Sequence, residues 1–232
     1  MRLGIIGAMD VEVALLLDRL EGGKVTRLSR MDFHEGTLEG LPVVVVKSGV
    51  GKVDAAVCAE VLALRFAVTH VVNTGVAGCL APDLGVGDVV VSRDAVHHDV
   101  DATNFGYAPG EVPGLGTVAF EADRVLAGVA MEAARAAAPD VSCRLGRVAS
   151  GDQFVRDQAT KERIRTTFQA DCCEMEGASI AQACWLAGVP FAIVRAISDK
   201  ADGSSPVEYP AFERKAAHDC AGIVLEMARR LA

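Results

Sequence analysis

Short, continuously apolar runs that alternate with helical patterns constrain this chain more than any other feature. The extended runs are LGIIGA (3–8), VVVV (43–46), THVVNTG (69–75), GDVVVS (87–92), RLGRVAS (144–150) and PFAIVRAIS (190–198), with two further extended stretches at 22–29 and 31–38. Helical patterns follow the first run and recur near 53–66, 121–138, 157–168, 177–187 and 209–231. Strands that are apolar on both faces are typical of a sheet covered by helices on both sides. We therefore predict a single three-layer α/β/α domain over 1–232 with a mixed, mostly parallel central sheet.

Composition and charge exclude several classes of protein. Hydrophobic residues make up 51% of the chain, yet no apolar run approaches the ~20 residues of a membrane-spanning helix. The net charge of −8 disfavours nucleic acid and anionic membrane as partners. The seven cysteines form no C-x-x-C pair, so we expect reduced, buried thiols. Together with an N-terminus that lacks the features of a signal peptide, this predicts a cytoplasmic protein.

Acidic residues follow the predicted strands at the edge where a sheet of this kind binds ligands. The candidates are Glu12, Asp152, Glu174, Glu176 and Asp199. Taken alone, Glu12 and Asp152 are better explained as acids at helix N-termini. Glu174 and Glu176 lie two residues apart and face opposite sides of an extended segment, so one is expected to be structural and the other to face a ligand. The set as a whole predicts an acidic, glycine-lined pocket.

Two familiar binding motifs are absent, and a third arrangement is weak. The GIIG run at 4–7 lacks the spacing and third glycine of a dinucleotide fingerprint, and no G-x-x-x-x-G-K-[ST] segment is present. His97 and His98, with Asp99 and Asp101 close by, could be read as a metal site. Adjacent residues on a strand point to opposite faces, so we interpret these as loop and surface histidines. We expect neither a cofactor nor a metal.

Six segments together resemble a known family. GIIGAMDVEV opens the pattern, followed by SGVGKV (48–53), NTGVAG (73–78), ASGDQFV (149–155), EMEGASIA (174–181) and RAISDKAD (195–202). In this order and from end to end, the chain resembles the 5′-methylthioadenosine/S-adenosylhomocysteine nucleosidases of the nucleoside phosphorylase superfamily. The resemblance implies a nucleoside phosphorylase-like fold. It also implies hydrolysis of the N-ribosidic bond of 5′-substituted adenosines, with release of adenine.

The resemblance assigns roles to the acids. Asp199 matches the general acid that protonates adenine N7, a role that requires surroundings favouring the protonated carboxyl group. Glu12 matches the group that positions and deprotonates the attacking water. Glu176 matches the acceptor of hydrogen bonds from the ribose hydroxyls, with the Met175 backbone beside it. Glu174 is left as structural.

The resemblance also implies a binding surface for the base and the 5′ substituent. Phe154 matches the residue stacked on adenine, and the backbone of Val155 is expected to read the edge of the base. The apolar slot for the 5′ substituent is expected to involve Met9, Val50, Tyr209 and, from a neighbouring subunit, Phe105. A homodimer is therefore expected, with a small nucleoside as the ligand.

Some alternatives stay open. Val76 stands where many family members carry a serine near the catalytic Asp, which removes one hydrogen-bond partner or passes that role to another group. NTGVAG lacks the arginine and serine with which related phosphorylases hold phosphate, which favours water as the nucleophile. Two competing hypotheses remain: a phosphate-dependent purine nucleoside phosphorylase and a non-catalytic nucleoside-binding protein. The residues of the ASGDQFV and VAG segments also leave 6-amino-6-deoxyfutalosine open as a substrate.

Overall fold

Strands and helices alternate through the protein, whose computed structural model describes residues 1–201 and 209–232 and, of residues 209–211, the backbone only. The strands are β1 Leu3–Gly7, β2 Glu21–Leu28, β3 Met31–Leu38, β4 Leu41–Lys47, β5 His70–Cys79, β6 Val89–His97, β7 Ala119–Glu121, β8 Cys143–Ser150, β9 Cys172–Glu174 and β10 Phe191–Asp199. The helices are α1 Asp10–Asp18, α2 Lys52–Arg65, α3 Arg124–Ala137, α4 Gln158–Phe168, α5 Gly177–Ala187 and α6 Tyr209–Leu231, with a 3-10 turn at Thr103–Phe105. The predicted strands and helices are thus present, and the short β7 and β9 are additional.

The strands form one mixed sheet in the order β10-β6-β8-β9-β5-β1-β4-β3-β2, with β7 paired to β6. Parallel pairings join β1 to β4 and β5, and β5 to β10, whereas β2, β3 and β4 form an antiparallel meander. A further pairing between β10 and β5 closes β5, β9, β8, β6 and β10 into a ring. Register shifts within β6 and β10 increase their bend and twist, which favours closure. The mixed sheet is confirmed, and the ring has no counterpart in the sequence prediction.

Helices cover both faces of the sheet, as a three-layer fold requires. On one face α1, α3 and α6 pack together, and on the other α2 packs against α5. The VVVV run shows why: Val43 and Val45 join the core on the first face, while Val44 and Val46 join the core on the second. Alternate side chains of one strand are therefore buried on opposite sides. The predicted three-layer α/β/α arrangement is confirmed.

The strand register brings the acidic segments to one edge of the sheet. β1 lies between β4 and β5, all three parallel, so the chain leaves their carboxyl ends side by side. β10 extends beside β5 as far as the pairing of Asp199 with Gly78.

All seven cysteines are free thiols, and only Cys143 among them is partly exposed. Within the described residues, no helix is long and apolar enough to cross a bilayer.

Candidate active site

A cleft of about 620 Å³, including its open mouth, lies at this edge of the sheet. Its volume falls within the range of ~300–1,000 Å³ typical of small-molecule sites. Nine of the predicted site residues line it: Met9, Glu12, Val50, Val76, Phe154, Val155, Met175, Glu176 and Asp199. Glu174, which the sequence prediction left as structural, also lines it, as do Cys173 and Ser198, which that prediction did not include.

Glu12 is a first-turn residue of α1 and also faces the cleft. Its carboxylate accepts hydrogen bonds from the backbone N–H groups of Ala8 (2.6 Å), Met9 (3.0 Å) and Val76 (3.0 Å). Burial raises the pKa of Glu12, although nearby Arg195 and the three N–H groups oppose the shift. Glu12 is therefore both an acid at the N-terminus of a helix and a residue that faces the cleft.

A buried arginine lies among the acids beneath the cleft. Arg195, in the middle of β10, is fully buried, and its Nη2 donates to Asn73 Oδ1 at 2.5 Å and to Glu174. Glu174 also accepts from the Ser150 hydroxyl and from the backbone N–H of Gly177, which fixes it under the start of α5. The sequence prediction missed this arginine. The available signal was a cation inside the apolar run AIVRAI, because a charge is rarely buried there without a partner.

Glu176 lies between this buried cluster and the cleft. Its Oε1 accepts a hydrogen bond from the backbone N–H of Gly51 at 2.9 Å, and its Oε2 lies 3.8 Å from Arg195 Nη2. Burial, together with repulsion from Glu174, raises the pKa of Glu176 to about 7, although Arg195 and the Gly51 N–H oppose the shift. The group can therefore gain or lose a proton near neutrality.

Asp199 is the last residue of β10 and lines the cleft. Its Oδ2 accepts a hydrogen bond from the Ser198 hydroxyl at 2.9 Å, and its Oδ1 accepts one from the Ala201 backbone N–H at 2.7 Å. The side chain of Val76 is buried here, and its backbone N–H donates a hydrogen bond to Glu12. The hydroxyl group that reaches Asp199 thus comes from the preceding residue rather than from position 76.

The remaining predicted residues differ in exposure. Phe154 is 58% exposed and Val50 is 53% exposed, so both stand at the mouth of the cleft, whereas Val155 is buried. Phe105 is 79% exposed and does not line the cleft of its own chain. Tyr209 begins α6, but its side chain lies outside the described residues.

The interpretation of His97 and His98 as loop and surface residues was wrong. Both are buried, because β6 runs on to His97 rather than ending near residue 92. His97 Nε2 shares a hydrogen bond with Gln182 Oε1 at 2.9 Å, and burial lowers the pKa of both histidines. Across the part of the chain that the structure describes, no group of His, Cys, Asp and Glu is arranged to hold a metal ion.

Comparisons with known proteins all match the chain to one superfamily. A sequence model of the phosphorylase superfamily matches residues 2–229. A 5′-methylthioadenosine/S-adenosylhomocysteine nucleosidase of Anoxybacillus flavithermus is 44% identical over 100% of this chain and 99% of its own. The enzyme of the same name from Bacillus subtilis is 40% identical over the full length of both chains.

Solved structures give the same result. The nucleosidase of this name from Neisseria meningitidis, in complex with methylthio-immucillin-A, superposes with a TM-score of 0.95 at 40% identity and covers 99% of each chain. Futalosine hydrolase of Helicobacter pylori superposes with a TM-score of 0.93 at 33% identity, covering 99% of this chain and 98% of that chain. The similarity spans the whole chain in each case.

Proposed function

We infer that this chain, which belongs to the 5′-methylthioadenosine/S-adenosylhomocysteine nucleosidase family of the phosphorylase superfamily, hydrolyses the N-ribosidic bond of 5′-substituted adenosines. The observation that carries this inference is one cleft lined by Glu12, Glu176 and Asp199 together with apolar walls. Cleavage of this bond needs a proton for the departing adenine, an activated water and a holder for the sugar. The three carboxyl groups can supply one function each.

Asp199 is the proposed general acid. It donates its proton to N7 of adenine as the bond from N9 to C1′ of the ribose breaks, so the base leaves as a neutral molecule. The bonds from Ser198 and Ala201 orient its carboxyl group at the end of β10. Proton donation of this kind contributes typically ~10²–10⁴-fold to a rate.

Glu12 is the proposed general base. It orients a water molecule towards C1′ and takes a proton from it as the new C–O bond forms. Its three backbone hydrogen bonds fix the carboxylate, and its burial raises its pKa and therefore its affinity for that proton. Water and nucleoside are thereby converted into adenine and the free sugar.

Glu176 is the proposed ribose holder, with the Met175 backbone beside it. The Gly51 N–H occupies Oε1, which leaves acceptor capacity on Oε2 for ribose hydroxyl donors. A bound sugar supplies hydrogen bonds that compensate for burying the carboxylate. Glu174, saturated by Arg195, Ser150 and Gly177, keeps a structural role.

The base and the 5′ substituent complete the proposed binding mode. Phe154 stacks on adenine and the Val155 backbone reads its edge, while Met9 and Val50 begin the apolar slot for the 5′ group. Tyr209 and the partner subunit's Phe105 are proposed to complete that slot. The exposure of Phe105 and its position outside its own cleft support donation to a second copy.

We therefore propose a homodimer as the active form. Analytical ultracentrifugation at assay concentrations is expected to give a dimer, and Phe105→Ala is expected to raise KM. A monomer with full activity would remove this part of the proposal. The buried free thiols support a reducing compartment, the cytoplasm, as the place of action.

Water is favoured over phosphate by the charge of the cleft. Of the described residues that line it, none is a lysine, arginine or histidine, and three are glutamates. A phosphorylase needs cationic donors to hold phosphate, and Glu12 would repel that anion. Hydrolysis is the activity that this lining supports.

The deciding assay follows free base by chromatography, with and without phosphate. Its substrates are 5′-methylthioadenosine, S-adenosylhomocysteine, 6-amino-6-deoxyfutalosine, adenosine and inosine. The third is included because a futalosine hydrolase is among the similar structures. Phosphate-independent release of adenine is expected. Release only with phosphate would identify a phosphorylase, and binding without turnover would identify a non-catalytic nucleoside-binding protein.

A further inference from the structure

A set of polar contacts beside the cleft joins the two loops that form its rim, residues 50–52 and 152–155. Lys52 Nζ lies 2.6 Å from Asp99 Oδ1. The other oxygen of Asp99 accepts a hydrogen bond from the backbone N–H of Asp152 at 2.9 Å. Asp152 in turn accepts one from the backbone N–H of Lys52 at 2.8 Å. The three residues form a closed triangle of interactions, which we call the rim bridge.

The rim bridge is shielded from solvent more than an ordinary surface ion pair. The side chains of Lys52 and Asp99 are only 20% and 17% exposed. Burial would raise the pKa of Asp99, but the bonds from Lys52 and from the Asp152 N–H outweigh it, and the pKa lies below its ordinary value. Asp99 therefore stays an anion, and the bridge persists through the neutral range.

None of the three residues lines the cleft, yet each is next to residues that do. Lys52 follows Val50, which lines the cleft, and Gly51, whose N–H binds Glu176. Asp152 precedes Gln153, Phe154 and Val155, all of which line the cleft. Asp99 belongs to neither loop, but it contacts one through Lys52 and the other through the backbone N–H of Asp152.

The start of α2 depends on this arrangement. Gly51 is the N-cap residue of α2, with φ of 103°, and no side-chain cap is present there. Asp152 supplies the missing carboxylate from the other loop through its bond to the Lys52 N–H. A Cβ on Gly51 would lie 3.1 Å from Asp152 Oδ1, so glycine permits both the backbone angle and the close approach of the loops.

We propose that Asp99 is a positioning residue that sets the separation of the two rim loops through Lys52 and Asp152, and so fits the nucleoside between Glu176 and Phe154. This inference rests on the proposed function and deepens it. Since the bridge touches neither Asp199 nor Glu12, its loss affects substrate binding more than the chemical step.

The test compares two variants of Asp99. Asp99→Asn keeps an oxygen that accepts from the Asp152 N–H but removes the charge that pairs with Lys52, whereas Asp99→Ala removes both. We expect KM for the best nucleoside to rise roughly 3-fold in Asp99→Asn and about 10-fold in Asp99→Ala, with kcat changed by less than about 3-fold. Lys52→Met is expected to raise KM as Asp99→Asn does.

A matched control separates positioning from general stability. Arg2 and Glu35 form an ion pair of the same 2.6 Å length and similar exposure, 35% and 24%, where Arg2 precedes β1 at the opposite end from the cleft. Glu35→Gln is expected to lower the melting temperature about as much as Asp99→Asn does, without changing KM. In the double variant Asp99→Ala/Lys52→Met, the KM effects are expected to be less than additive.

The outcomes separate this inference from the proposed function. If the unaltered chain releases no adenine, the proposed function fails, and the bridge is then tested by calorimetric affinity for 5′-methylthioadenosine. KM, or that affinity, within about twofold of the parent value in both Asp99 variants would overturn the inference. An equal rise in Glu35→Gln would also overturn it. Should Asp99→Ala fail to fold, Asp99→Asn and Lys52→Met carry the same comparison.

Discussion

The floor and the rim of the cleft both contain an ion pair, yet they differ in how they use it. In the floor, Glu12, Glu174 and Glu176 are buried around a single buried guanidinium, that of Arg195. In the rim, one lysine meets one aspartate beside loops whose Phe154 and Val50 are more than half exposed. The floor holds three buried carboxyl groups to one guanidinium, whereas the Lys52–Asp99 pair of the rim bridge is one to one and Asp152 is exposed to solvent.

This difference in charge balance separates two tasks. Desolvated, unevenly matched carboxylates gain affinity for protons, which is the property that acid–base chemistry needs. The Lys52–Asp99 pair instead lowers the pKa of Asp99, keeps that carboxylate charged and contributes geometry. We therefore expect changes around the floor to alter kcat and stability, and changes in the rim to alter KM.

The largest expected effect is that of Asp199→Asn on the rate. An amide cannot deliver the proton to adenine N7, so kcat is expected to fall by ~10²–10⁴-fold with little change in KM. Steady-state kinetics of adenine release measure both constants. The same chemical change at the rim, Asp99→Asn, serves as the control and is expected to alter KM instead. Full activity in Asp199→Asn would refute the general-acid role.

Next in size is the effect of Arg195→Met on stability. Removing the guanidinium leaves Glu174 buried without its ion-pair partner, a loss that typically costs ~3–5 kcal/mol. Urea denaturation followed by circular dichroism gives the loss in free energy of unfolding. Lys52→Met, which breaks a more exposed pair, is expected to lose about 1 kcal/mol or less. Equal losses in the two variants would erase the distinction between floor and rim.

Phe154→Ala tests the binding role of the rim directly. Loss of a stacked aromatic ring typically costs ~1–3 kcal/mol per base, which corresponds to a rise in KM of roughly 5- to 150-fold. Because the phenyl ring of Phe154 neither donates nor accepts a proton in the proposed mechanism, kcat is expected to stay nearly constant. Phe154→Tyr keeps the ring and is expected to retain the parent KM. A fall in kcat at unchanged KM would show that Phe154 acts in the chemical step and not in binding.

The fold was predictable because its pattern is local. A run such as Val43 to Val46 can be satisfied only where both faces of a strand are covered, and the structure buries alternate valines in opposite cores. Closure of the ring was not predictable. It depends on the pairing of β5 with β10, whose residues are more than 100 positions apart along the chain.

The candidate site divides in the same way. Glu12, Glu176 and Asp199 follow strand ends, so sequence position alone placed them near one edge. The partnership of Arg195 with Glu174, and the rim bridge from Asp99 to two distant loops, are tertiary contacts that no local spacing encodes. The depth of His97 and His98 was missed because the apolar run ends near residue 92 while β6 continues.

The smallest expected effect is on how stability depends on pH, where floor and rim have opposite signs. The pKa of Glu176 is raised to about 7 in the folded protein, above the ~4.3 of an unperturbed Glu. Between these values the folded state holds a proton that the unfolded state has released. The contribution of Glu176 is therefore fully present below about pH 4.3 and is lost as the pH rises towards 7, by about 1.4 kcal/mol per pH unit at most.

Asp99 behaves in the opposite way, because its pKa is lowered in the folded protein. Its contribution is present above the ~3.9 of an unperturbed Asp and is lost as the pH falls through the folded pKa. Between pH 5 and 7, His97 and His98 also contribute, with stability that rises with pH because burial lowers their pKa values. Comparison of each variant with the parent by urea denaturation therefore isolates the effect of the altered group. Glu176→Gln is expected to make the slope of stability against pH less negative over this range, while Asp99→Asn, which removes a carboxyl group that titrates below this range, changes the slope less. If Glu176→Gln keeps the parent slope, the buried acids do not hold the proton that their surroundings favour, and the chemical distinction between floor and rim is lost.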